Sequence, residues 1–184
     1  MRCEEGIEDG DQIQISSVDQ SGIVQFKTYE YWDGDGWMDL DQSSYAGDTV
    51  GFSLGEGAWF FSPSGAKHLT TSGQVKKGYH IHTFQDTWSI NVSAFPVNFC
   101  PNSENISWGV ADGDQIQTSS VDESGIIQFH TYEYWEGDGW ADLETSSPID
   151  ADTVVVTPGK GFWIILNNTA PEDASFTEVS PIAE

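Results

Sequence analysis

The sequence predicts an all-β protein made of two related antiparallel β units, each a sandwich or a small barrel. Three observations carry that prediction. A long string repeats within the chain, the repeated string alternates with a period of two, and glycine-containing turns punctuate it at short intervals. No stretch of the 184 residues shows a convincing 3.6-residue amphipathic pattern.

The repeat is the strongest of the three. Residues 9–44 match residues 112–147 at a constant offset of 103, with 28 identities over 36 aligned positions. The first copy reads DGDQIQISSVDQSGIVQFKTYEYWDGDGWMDLDQSS and the second DGDQIQTSSVDESGIIQFHTYEYWEGDGWADLETSS. Most differences keep their character, as with Val24 and Ile127 or Asp33 and Glu136. After a one-residue insertion, DTVGFSLGEGAWFF (residues 48–61) aligns more weakly with DTVVVTPGKGFWII (residues 152–165). Strings this similar are expected to fold alike. An internal duplication is therefore expected, with residues 1–66 as the first unit and 67–184 as the second. The flanks are unequal. Two alternating apolar runs lie in GYHIHTFQDTWSINVSAFPVNFC (residues 78–100) ahead of the second copy, whereas eight residues precede the first. The first unit is thus expected to be either truncated or completed by a strand from elsewhere, such as the tail after Asn167, because an uncompleted sheet exposes an edge.

Each element follows from local pattern. In GIVQFKTYEYW, Val24, Phe26 and Trp32 fall on one side with Thr28 and Glu30; Lys27, Tyr29 and Tyr31 fall on the other. β-branched and aromatic residues dominate the run, as a strand requires. It ends at Asp-Gly-Asp-Gly (residues 33–36) before GWMDL resumes, which predicts a hairpin whose glycines accept positive φ. Residues 48–54 read as a further strand, residues 55–57 as a turn and residues 58–62 as another strand. Their counterparts in the second copy include a turn at residues 158–161.

Composition narrows the function classes. Thirty acidic residues face six basic ones, a formal net charge of -24. Nucleic acid is excluded as a partner, because phosphate contacts need Lys and Arg. No apolar run is long enough to cross a bilayer, so membrane insertion is not expected. Cations and neutral ligands such as sugars stay open, beside the plain alternative that acidity serves solubility. Cys3 and Cys100 are the two cysteines, and sequence does not set their distance.

Candidate sites cluster at the hairpin. Tyr29, Tyr31, Trp32 and Trp37, with Tyr132, Tyr134, Trp135 and Trp140, gather around its tip in both copies. Aromatic rings beside carboxylates and glycines can stack on sugar rings, and the competing reading is that most of them line the core. The acids Asp33, Asp35 and Asp39, with Glu136, Asp138 and Asp142, form a second candidate, for calcium. Their string DGDGWMDLD resembles the calcium loops of FG-GAP repeats in integrin-type propellers, with Tyr31 and Tyr134 where that pattern has its first Asp; the competing reading is a solvated polar turn. No other cofactor is expected. Asp9-Gly10-Asp11 and Asp112-Gly113-Asp114 read as turns before a strand, and His80-x-His82 has a spacing able to hold a transition metal. Asn91, Asn105 and Asn167 open glycosylation sequons. No GxSxG, Cys/His pair or phosphate-cradling loop is present, so an enzyme is not expected.

One further string bears on location. TWSINVSAFPV (residues 87–97), GDQIQ (113–117), GDGW (137–140) and PGKGFW (158–163) occur in that order. The series resembles the repeated PGxGFW-type β modules of bacterial exported and surface proteins; the first copy carries the degenerate LGEGAWF. The resemblance implies an extracytoplasmic accessory module, extracellular or on the cell surface, with an export signal removed. It implies a structural, adhesive or assembly role with a protein or glycan surface partner. The alternative is a carbohydrate-binding module, calcium-assisted or not, that uses the hairpin aromatics.

Overall fold

The computed structural model describes residues 6–18, 24–47, 50–51, 55, 57–65, 77–84 and 87–180. These residues hold fourteen strands and no helix, and every strand pairing is antiparallel. The chain divides into two compact units, residues 1–74 and 75–184.

In the first unit, β1 (Gln12–Val18), β2 (Val24–Trp32), β3 (Gly36–Asp39), β4 (Ser44–Gly47) and β5 (Trp59–Phe61) form one sheet in the order β4-β3-β2-β1-β5. The second unit opens with β6 (Tyr79–Thr83), β7 (Trp88–Val92) and β8 (Ile106–Gly109). The repeated string follows as β9 (Gln115–Val121), β10 (Ile127–Trp135), β11 (Gly139–Asp142), β12 (Ser147–Pro148) and β13 (Gly161–Ile165), and β14 (Ser175–Val179) ends the unit. Its larger sheet runs β12-β11-β10-β9-β13-β7, so the repeated strands keep the order of the first unit with β7 added beyond β13. A second sheet, β6-β14-β8, faces it. The sheets are open, so the second unit is a sandwich, not a small barrel.

Register repeats with order. Ile13 pairs with Tyr29 and Tyr31 with Trp37 in the first unit; Ile116 pairs with Tyr132 and Tyr134 with Trp140 in the second. Opposed residues of antiparallel strands share a face, so all eight of these side chains lie on the inner side. The hairpin tip closes as its glycines predict, with Gly34 and Gly36 both at φ 85° and Gly137 and Gly139 at 93° and 81°.

Among the described residues, the cores differ in size. In the second unit Ile116, Trp140, Phe162 and Ile164 from the large sheet pack against Phe176, with Phe84, Phe99, Val156, Leu166 and Ala174. In the first unit Ile13, Trp37 and Val50 are buried, flanked by half-buried Tyr29, Tyr31 and Phe60.

Two expectations are corrected. The strand predicted over residues 152–158, by analogy with residues 48–54, is reduced to a lone bridge between Phe99 and Val156. A turn closed by Thr153 N–H on Asp150 and a second turn beyond Pro158 leave room for little more than Phe99 to pair there. Most of residues 48–54 lie outside the described residues. The tail after Asn167 does not complete the first unit: its strand β14 pairs with β6 and β8 of the second. There Phe176 enters the core.

Candidate functional site

The predicted aromatic cluster splits across the sheet. Trp37 and Trp140 are buried, 2% and 0% exposed, as the central residues of their cores. Tyr31 meets Trp37 edge-on at 5.5 Å, and Tyr134 repeats that contact with Trp140 at 5.5 Å. Tyr29 and Tyr132 are half-buried on the same side, where burial, with Asp142 and Glu144 nearby, pushes the Tyr132 hydroxyl above its usual range. Six of the eight rings therefore serve packing. Trp32 and Trp135, each next in the alternation to an inward tyrosine, are on the outer side.

Around these two tryptophans the outer side carries a ladder that recurs bond for bond. In the first unit the Gln12 amide donates to Glu30 (2.7 Å), the Gln14 amide to Thr28 (3.4 Å) and the Trp32 indole to Glu30 (2.7 Å). In the second, Gln115 donates to Glu133 (3.1 Å), Gln117 to Thr131 (3.2 Å) and Trp135 to Glu133 (3.1 Å). The carboxylate holds each indole in one orientation and keeps its remaining acceptor capacity at the surface. Rings flank the ladder on its other side too, Trp59 and Phe61 in the first unit and Trp163 with Trp88 in the second. Amide, hydroxyl, carboxylate and indole groups thus alternate over the half-exposed outer face around the two tryptophans. Sequence reasoning missed the polar members of this ladder. The available signal was that Gln12, Gln14, Thr28 and Glu30 sit on the polar side of the alternation yet are identical in the two copies.

Beside the first ladder lies an open hollow of about 470 Å³, lined by Trp32, Gly34, Asp35, Met38 and Tyr45. The corresponding positions of the second copy hold Trp135, Gly137, Asp138, Ala141 and Pro148.

The acidic residues predicted as calcium ligands do not converge. Among the described residues, no group of three or more His, Cys, Asp or Glu side chains is placed to hold a metal ion. Asp33, Asp35, Glu136 and Asp138 are exposed at the two hairpin tips. Asp39 and Asp142 are used by their own turns: Asp39 accepts from the N–H groups of Asp41 and Gln42, and Asp142 from those of Glu144 and Thr145. Each turn sets a serine, Ser43 or Ser146, at positive φ. Asp39 also meets Lys27 at 3.0 Å. Burial pushes the Asp39 carboxyl up, but the Gln42 N–H, Lys27 and the Asp41 N–H outweigh it and leave the pKa below its usual value.

The Asp-Gly-Asp turns are structural clamps. Asp9 accepts from the Asp33 N–H (2.9 Å) and Asp112 from the Glu136 N–H (2.8 Å), tying each turn to its hairpin tip. The next acids are buried. Asp11 accepts from Glu8 N–H and from the Ser62 hydroxyl. Asp114 accepts from Ala111 N–H, from the N–H groups of Asn167, Asn168 and Thr169, and from the Thr169 hydroxyl.

His82 is structural as well. Its Nε2 lies 2.8 Å from buried Glu178, whose carboxylate also accepts from Ala94 N–H and Ser93 Oγ, and its ring stacks on Phe176. His80 touches His82 edge-on at 4.4 Å. Of the sequon asparagines, Asn91 is buried, while Asn105 and Asn167 are exposed. Cys100 is a free thiol among the described residues, and burial raises its pKa; Cys3 lies outside them, and with it the distance between the two cysteines.

Comparison with protein families, with curated proteins and with solved structures returns no match.

Proposed function

We propose that this protein is a non-catalytic β-repeat module of an exported or cell-surface protein, akin to the PGxGFW-type modules, with a structural, adhesive or assembly role exercised through the outer face of its repeated sheet. The observation that carries the reading is the ladder: the same three side-chain hydrogen bonds recur on the side of each sheet that the core does not use. A surface repeated in this way is suited to engage a repetitive partner twice. The buried carboxylates of Asp11, Asp39, Asp114 and Glu178 support a non-catalytic role, since each already accepts a backbone N–H.

A second reading gives the same face a glycan partner. It is favoured by the array of amide, carboxylate and hydroxyl groups beside exposed indole, which suits an extended sugar chain.

The full chain and its Trp32→Ala/Trp135→Ala double variant, compared on glycan-coated and protein-coated surfaces, test both. Retention is expected to fall about tenfold or more in the variant, with circular dichroism unchanged. Equal retention would remove the outer face as the working surface. Tryptophan quenching by a soluble polysaccharide would select the second reading, and flat titrations across a diverse set would leave the first.

A further inference from the structure

We infer that the hollow at the first hairpin tip is a binding site for a methylated ammonium cation, present in the first unit and lacking in the second. Its walls are rings. Trp32 is 44% exposed and Tyr45 55%, and both are on the outer side, Trp32 opposite Gly36 and Tyr45 opposite Met38. Gly36 lets the Tyr45 ring lie close over the hairpin, because a Cβ there would come within 3.1 Å of the Tyr45 hydroxyl oxygen. Met38 and Gly34 complete the apolar lining, and Asp35 supplies a carboxylate. Glu30 fixes the indole through its Nε1 at 2.7 Å.

Two aromatic rings, a thioether and a carboxylate form the chemistry that attracts an organic cation with a greasy surface. Charge favours the same ligand. No described outward-facing position of β1 to β5 is Lys or Arg, Lys27 is turned inward to Asp39, and the net charge of -24 concentrates cations near the surface. A neutral sugar would find few hydrogen-bonding side chains in this lining, namely Asp35 and the Tyr45 hydroxyl. The second unit keeps Trp135, Gly137 and Asp138 but has Ala141 and Pro148 in place of the thioether and the second ring. The chain therefore carries its own control. The hollow shares Trp32 with the ladder, whereas Tyr45, Met38 and Asp35 belong to no ladder bond.

The test is titration of the full chain with choline chloride, followed by the indole N–H resonances in a ¹H–¹⁵N spectrum. Matched sodium chloride and the neutral isostere 3,3-dimethylbutan-1-ol serve as comparisons. Saturable movement of the Trp32 resonance with choline is expected, with that of Trp135 unmoved and the isostere at least about fivefold weaker. Tyr45→Ala and Asp35→Asn should each weaken choline binding about fivefold, with a dispersed spectrum showing an intact fold; Ala141→Met should change nothing at Trp32. An equal response to sodium chloride, equal affinity for the isostere, or undiminished binding by folded Tyr45→Ala would each overturn the assignment. Phosphocholine vesicles and a trimethyl-lysine peptide then separate a lipid headgroup from a modified side chain as the source.

Discussion

The two copies of the repeat make the same sheet in different company. Strand order, register and the outer ladder coincide, yet the second sheet faces β6-β14-β8 and gains β7 beyond β13, while the described residues of the first hold five strands. The hairpin glycine shows the difference at atomic scale. Beside Gly36 lies the Tyr45 ring; beside Gly139 lies the Asn102 side chain, whose oxygen a Cβ would approach at 2.6 Å. Asn102 accepts from the Trp140 N–H and donates to the carbonyls of Trp140 and Ile149, taking up backbone groups that β4 pairs directly in the first unit. One string thus specifies a sheet, and the flanking chain decides how its edge and inner face are completed.

The comparison can be broken most forcefully at the central tryptophans. Trp140→Ala is expected to cost about 3–5 kcal/mol, because it empties the middle of a ten-residue core. Trp37→Ala should cost less, its buried cluster numbering three among the described residues. Hydrogen exchange resolved to peptides of each unit measures both, and the reverse order would refute the account of the two cores. The Trp140 indole N–H has no hydrogen-bond partner among the described residues; it sits amid the rings of Trp108 and Tyr134. Trp140→Phe should accordingly be much milder than Trp140→Ala.

Next come the clamps. Asp114→Ala strips an acceptor from four N–H groups and a hydroxyl, so a loss of about 3 kcal/mol or more is expected in the second unit. Asp11→Ala loses two partners and should cost about half as much. Similar costs in urea denaturation would show that the loop at residues 167–169 is held by something else.

Asn102→Ala should cost about 2 kcal/mol and raise exchange of the Trp140 amide, with no effect on Trp37.

The smallest effect concerns the ion pair of the first unit, which the second replaces with His130, 3.9 Å from Glu144. The Asp39 pKa is depressed on folding, so its contribution is present above the ordinary carboxylate value and is lost as pH falls through the lower folded one. Stability of the first unit should therefore decline below about pH 4, and Asp39→Asn should flatten that slope. Lys27→Ala should weaken it slightly, less so at high salt, because Lys27 is partly exposed. An unchanged slope in Asp39→Asn would place the acid sensitivity elsewhere.

Much of the fold was legible in the string. Alternation in β2 and β10 put Tyr29, Tyr31 and their counterparts on one side and Trp32 and Trp135 on the other, and the Asp-Gly pairs located the hairpins. These are properties of neighbours in sequence, set by pleat geometry and by the φ that only glycine adopts freely. The candidate site was legible in part. The aromatics were visible as a cluster, but parity alone could not say which face the core would choose, and so Trp37 and Trp140 stood beside Trp32 as surface candidates.

What the sequence determined by itself is the alternation of the repeated strands and the place of their turns, which follow from neighbours a few residues apart. Only the tertiary structure decided that β14 covers the second sheet, that Asn102 and Tyr45 take equivalent places beside Gly139 and Gly36, and that Asp114 grips residues 167–169. Those contacts join residues far apart in the chain, and nothing in the local pattern at either end names its partner.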